Sequence, residues 1–164
     1  MGEFACDWQL ERCRRTPILY TERLLKEWVT AYPAILRPKL NARRCRANEA
    51  NWTAGVDLKP YHAYWGGEVA GARLTHYLAP QMATLYVQNP TTRLLLDLRL
   101  KADINGDVEL LDVFWNPDRL NGTGDVVPPL LAYADLMATA DGRNLEVAEM
   151  IYDEFIGPHL RNQA

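Results

Sequence analysis

The run RLLLDLRLKADINGDVELLDVFW, residues 93–115, decides how the chain reads. Arg93 to Ala102 and Val108 to Trp115 are both β-capable, and Asn105-Gly106 stands between them. Asn-Gly suits a tight primed turn because both central positions of such a turn need positive φ. In the first run Leu95, Asp97, Arg99 and Lys101 alternate against Leu94, Leu96, Leu98 and Leu100, which gives one polar face and one apolar face. The spacing predicts an antiparallel hairpin pairing residues 94–101 with 108–115.

Upstream, Ala83-Thr84-Leu85-Tyr86-Val87 reads as a third strand, stopped by Asn89-Pro90. Before it, Trp65-Gly66-Gly67-Glu68 opens a helix running through Val69, Ala70, Leu74 and Tyr77 to Pro80. Gly66, Gly67, Ala70, Gly71 and Ala72 would let another backbone approach it closely. An earlier helix runs from Glu22 to about Tyr32, capped by Thr21, with Leu24, Leu25, Trp28 and Val29 on one stripe. Residues 47–64 read as a long loop. Downstream, Pro128-Pro129 starts a helix through Leu136 and Met137, Ala140-Asp141-Gly142 turns a corner, and a second helix runs from Arg143 to Ile156, stopped by Gly157-Pro158. Two helices, three strands and two more helices predict an α+β fold: a small, mainly antiparallel sheet with a hairpin at Asn105-Gly106, packed by about four helices. Residues 1–16 are polar and are expected to be poorly ordered, leaving 17–160 as one α+β domain.

The bulk composition excludes several classes. With 164 residues, 48% hydrophobic and 24% charged, the chain is long enough to bury a core and too apolar for general disorder. No apolar run reaches the roughly 18–20 residues that a membrane helix needs. Met1-Gly2-Glu3-Phe4 lacks the opening of an export signal, and Cys6, Cys13 and Cys45 have no metal-knuckle spacing. A reduced, cytoplasmic setting is the expectation. The net charge of −3 conceals an asymmetry: residues 1–46 hold ten Lys/Arg and five Asp/Glu, and residues 47–164 hold eight and sixteen. Within the basic front, Arg37, Lys39, Arg43, Arg44 and Arg46 are the candidate contacts for nucleic acid or an acidic partner.

Catalytic motifs are missing: GxSxG, the P-loop, HExxH and GxGxxG do not occur. His62, His76 and His159 are scattered without metal-ligand spacing, and Cys45 has no histidine nearby in sequence to act as its base. The enzymatic alternative is a nuclease-like fold, active or degenerate, in which Glu68, Asp97 and Glu109 share a divalent ion. It lacks the usual lysine after the glutamate, since Leu110 and Leu111 follow Glu109. No catalytic residue, metal or cofactor is therefore assigned. A plain oligomerisation module is the third reading.

Three blocks are distinctive together. They are Trp28-Val29-Thr30-Ala31-Tyr32-Pro33 with Leu36-Arg37-Pro38-Lys39-Leu40; Gly66-Gly67-Glu68-Val69-Ala70 with Leu74-Thr75-His76-Tyr77-Leu78; and Pro129 to Thr139 followed by Asp141 and Arg143-Asn144-Leu145-Glu146. In this order they resemble AbiEi-type antitoxins of type IV toxin–antitoxin systems, which also act as transcriptional regulators. The resemblance implies a regulatory domain paired functionally with a nucleotidyltransferase toxin, with operator DNA as a further partner and homo-oligomerisation open. The N-terminal winged helix usual in that family has no counterpart before Thr21. Gly66, Gly67, Glu68, Tyr133, Asp135 and Arg143 are the structural motif residues of the shared blocks. Asp135 lies inside an apolar helix, so its burial calls for a partner: Arg143, in a corner-fixing pair, or backbone N–H groups.

Overall fold

A computed structural model describes residues 22–89, 91–119 and 124–161. The N-terminal segment 1–16 and the capping role of Thr21 lie outside the described residues. The first helix, α1 (Glu22–Ala31), runs into a π-helical turn at Tyr32–Leu36 and a 3-10 turn at Arg37–Lys39. Strand β1 (Arg43–Arg46) follows, then a looped stretch with a 3-10 turn at Lys59–Tyr61, then β2 (Ala63–Gly66), α2 (Gly67–Thr75) and β3 (Ala83–Val87). Next come α3 (Thr92–Asp97), β4 (Lys101–Ala102) and β5 (Val108–Asp112). The C-terminal part is α4 (Pro129–Ala138), α5 (Gly142–Ile151), a π-helical turn at Tyr152–Ile156 and α6 (Gly157–Arg161).

The sheet order is β2-β3-β5-β1-β4. Three pairings are antiparallel and one, β3 with β5, is parallel. The α+β class and the mainly antiparallel sheet agree with the sequence reading. Strand alternation splits the core in two. Tyr86 and Leu111 face the helices and pack with Leu25, Leu131, Leu136, Val147 and Ile151. Trp65, Leu85, Val87, Val108 and Leu110 face the other way, onto Leu58, Leu94 and Leu100. On the helical side α2, α4 and α5 pack against one another. What approaches the small residues of α2 is side chains: Leu136 and Val147 come up against Gly71. Among the described residues no helix is long and apolar enough to cross a membrane.

The expected hairpin does not form. Residues 92–97 are helical, and β1 lies between β4 and β5, pairing with both. The reason is a second periodicity in the same letters. Leu94, Leu95 and Leu98 stand at i, i+1 and i+4, one face of a helix, and they pack onto the second core. Leu96, which the strand reading put on the apolar face, is 72% exposed. Arg93 and Asp97 form the helix's i,i+4 ion pair at 3.5 Å. Asn105-Gly106 does lie in a turn, closed by Gly106 N donating to Asp103 O at 2.9 Å, but neither residue takes positive φ. Glycine is needed at 106 for a different reason: a Cβ there would run into the Cys45 carbonyl oxygen, because the turn is laid against β1.

Four smaller corrections follow. The basic stretch expected to lead into a loop contains β1, and the loop expected at 47–64 gives up its last two residues to β2. Trp65 and Gly66 end β2, so α2 starts only at Gly67. Gly157 keeps a right-handed helical conformation, so the chain continues into α6 instead of stopping at Gly157-Pro158.

The two glycines at chain turns give a paired prediction for denaturant unfolding. Gly106→Ala should cost about 3 kcal/mol, as overpacking against a fixed backbone does. Gly142→Ala, with nothing within 4 Å of the added carbon, should gain about 0.5 kcal/mol by restricting the unfolded chain.

Candidate functional site

The most polar point of the core is the Asp135 carboxylate. The side chain is 1% exposed, in the middle of the buried face of α4. Tyr32 Oη donates to its Oδ1 at 2.8 Å, and Tyr86 Oη lies 3.0 Å from both oxygens. The two hydroxyls are 2.5 Å apart. Gly67 N donates to Oδ2 at 3.1 Å, so Asp135 caps α2 from a neighbouring helix and places its charge at the positive end of that helix. Gly67 sits at φ +51, and a side chain at Gly66 would collide with the Tyr86 ring. The Gly66-Gly67 pair therefore lets the carboxylate, the ring and the helix start meet. The π-helical turn after α1 carries Tyr32 inward and leads directly to Arg37.

Arg37 joins this centre to the sheet. Its guanidinium donates to both oxygens of Glu109 on β5, at 3.2 and 2.6 Å, and its Nε lies 3.6 Å from Asp135 Oδ1. Burial works against the Arg37 charge, but the Glu109 hydrogen bonds and the Asp135 charge outweigh it and raise its pKa. Burial, with the nearby Asp135 charge, pushes both tyrosine hydroxyls far up, so they stay protonated donors. Burial also raises Asp135, against the pull of Arg37, the two hydroxyls and Gly67 N–H. Each donor at this centre is matched to an acceptor deep in the fold, and the arrangement holds elements together.

Glu68 is the second buried carboxylate. Its Oε2 accepts from Gln81 N and Met82 N at 2.6 and 3.2 Å, and its Oε1 accepts from Asn144 Nδ2 at 3.0 Å. It ties the loop before β3 to the start of α5. The expected Asp135–Arg143 pair is not made. Arg143 lies near Asp141 at 3.5 Å, and Asp141 caps α5 through Arg143 N and Asn144 N. Asp135 instead finds a backbone N–H and two tyrosines, because α4 turns that face toward the sheet and away from the α4–α5 corner. Tyr133, on another side of α4, packs on Tyr152 at 6.0 Å.

The carboxylates considered for a metal go to three places. Glu68 holds the loop–helix junction, and Glu109 holds Arg37. Asp97 accepts from Tyr61 Oη at 3.1 Å on the opposite face of the sheet. Among the described residues no group of three or more His, Cys, Asp or Glu is arranged to hold a metal ion. His62 and His76 both take left-handed conformations, after a 3-10 turn and at the end of α2. Cys45 is buried, which pushes its thiol pKa up.

The five basic candidates divide by strand alternation. Arg44 and Arg46 point to the helical side of the sheet, where Arg37 also lies, while Arg43 points the other way with Cys45. Arg43 donates to Thr91 Oγ1 at 3.2 Å and lies 3.6 Å from Asp112. Arg46 holds Asp103 at 2.6 Å and Asn105 O at 2.9 Å. Arg44 reaches Gly106 O at 3.3 Å and lies 4.0 Å from Glu109 Oε1, which also accepts from Arg37. Lys39 is exposed. The sequence pattern does not single out Tyr32 and Tyr86, which look like ordinary core aromatics. Nor does it mark Arg73, whose guanidinium lies 4.9 Å above the Trp65 ring and binds Asp125, Thr53 O and Val56 O. Arg73 and Asp125 also line an open cleft of about 640 Å³ with Lys59 and His76.

Two substitutions separate the roles of the central carboxylate. Asp135→Ala strands two hydroxyls and an N–H, and should cost about 3 kcal/mol. Asp135→Asn keeps the shape and removes the charge. Because the folded pKa of Asp135 is raised, its contribution is fullest below the ordinary carboxylate value and is lost as pH rises through the folded one. The stability deficit of Asp135→Asn should therefore be largest in acid and shrink toward neutrality, as read from urea unfolding across that pH range.

The family model described as "Transcriptional regulator, AbiEi antitoxin, Type IV TA system" matches residues 17–157, which is most of the chain and takes in every element described above except α6 beyond its first residue. No curated protein and no solved structure matches it. With the Gly66-Gly67 helix start, the Asp135 helix and the capped α5 all inside the matched span, the chain belongs to the AbiEi antitoxin family of type IV toxin–antitoxin transcriptional regulators.

Proposed function

We propose that this chain is the non-enzymatic antitoxin and regulator of a type IV toxin–antitoxin pair, working in the cytoplasm against a nucleotidyltransferase toxin, with residues 17–160 as the regulatory domain. The observation that carries this reading is the family match over residues 17–157. The polar core supports a role without catalysis. Asp135, Tyr32, Tyr86 and Glu68 have their hydrogen bonds committed to one another, to Asn144 and to backbone N–H groups. A general base needs a lone pair within reach of a substrate proton, and these lone pairs are engaged inside the fold.

Operator DNA is the second partner, contacted through the basic stretch of Arg37, Lys39, Arg43, Arg44 and Arg46. Within it Lys39, Arg44 and Arg46 are exposed, Arg43 is half-buried beside Asp112, and Arg37 is turned onto Glu109. No observation favours the nuclease-like or pure oligomerisation readings. Co-expression with a nucleotidyltransferase toxin of a type IV pair tests the proposal. Growth should recover when the folded chain is present, and persistent toxicity with the chain in excess would refute it.

A further inference from the structure

An apolar groove of about 500 Å³ opens between α1, the start of α4 and the last turns of the described chain. Leu24 and Trp28 of α1, Pro129 and Leu130 of α4, and Phe155 and Leu160 form its walls, with His159 beside them. Walls of this kind favour an occupant that is itself apolar, because burial removes both surfaces from water. The occupant must also bring few backbone donors, since the groove offers little to pair them. The first described residue, Glu22, stands two residues ahead of Leu24, so the chain enters the fold at the groove itself.

We propose that the groove is a docking site for the chain's own segment Pro17-Ile18-Leu19-Tyr20, which folds back over α1 as a strap. The segment lies outside the described residues, but the family match begins at residue 17, ahead of α1, so the shared domain includes it. Ile18, Leu19 and the Tyr20 ring supply apolar surface, and Pro17 has no N–H to strand. Reach is sufficient. Ile18 Cα lies within about 14 Å of Glu22 Cα even at full extension, and Trp28 is about 9 Å along the helix from the same point. Charge favours the same placement: Arg12, Arg14 and Arg15 precede the strap, and the turn that supplies Phe155 carries exposed Asp153 and Glu154. So short a tether holds the segment at an effective concentration on the order of millimolar, which a second copy or an outside ligand would have to exceed. A docked strap also anchors whatever precedes residue 17 beside α1 and α6. It does not depend on the antitoxin reading.

NMR on the full 164-residue chain tests the strap. Methyl NOEs should run from Ile18 or Leu19 to Leu130, Phe155 or Leu160, residues far from them in sequence. A mixture of labelled and unlabelled chains separates contacts within one chain from contacts between two. The double variant Ile18→Asp with Leu19→Asp should lower the melting temperature by about 5 °C or more. It should also raise the fluorescence of a dye that binds exposed apolar surface. Leu96→Asp, at a site already 72% exposed, should change neither readout appreciably. Absence of those NOEs in the wild type overturns the proposal, whether or not the double variant folds. So do an unchanged melting temperature and dye signal in the double variant. NOEs found only between chains also overturn it, and would identify a second copy as the occupant.

Discussion

A buried carboxylate is tolerable in this fold only because four other elements supply it with partners. Taking an isolated carboxylate out of water costs several kcal/mol even after relaxation, and only well-placed donors recover it. Asp135 on α4 draws them from the turn after α1 (Tyr32), from β3 (Tyr86), from the first residue of α2 (Gly67) and, at longer range, from Arg37. Each donor has to arrive at the right distance, which restricts where α1, α2 and α4 can sit on the sheet. Apolar packing alone tolerates small slips between such elements; a shared acceptor does not. The glycines at the start of α2 belong to the same constraint, since a side chain at either position would displace Tyr86 or Thr84.

From that centre the polar contacts spread outward in layers. Arg37 carries the network to Glu109 and the middle of the sheet, and Arg44 touches the same carboxylate from β1. Glu68 performs a parallel task on α2, receiving two loop N–H groups and Asn144. The charge asymmetry of the chain acquires a structural meaning here. Cations of the basic front are met by acids of the later chain, Arg37 by Glu109, Arg43 by Asp112 and Arg46 by Asp103. The front and the remainder are complementary pieces of one charge-matched sheet.

Much of the local structure was legible in the letters. The strand 83–87 and the starts of α4 and α5 came from apolar runs and proline or glycine punctuation, signals that act within a few residues. The shared blocks carried the family, and the family model covers the same ground. Asp135 was recognisable as a group in need of a partner because it interrupts an apolar helix. Its actual partners were not, since they lie between 49 and 103 residues away and two of them are tyrosines indistinguishable by pattern from core rings.

By itself, then, the sequence determined the α+β class, the position of most helices and the existence of a buried acid that must be satisfied. Tertiary structure alone decided whether residues 92–97 would be strand or helix, because their leucines fit both periods. The outcome turned on which face could reach Leu58, Leu85 and Leu110. It also decided that β1 would enter between β4 and β5. An Asn-Gly turn favours a direct hairpin from within, but Arg43, Arg44 and Arg46 of β1 find their carboxylates, Asp112, Glu109 and Asp103, only when inserted there. Pairing of that kind is long-range electrostatics and hydrogen bonding, and no window of neighbouring residues contains it.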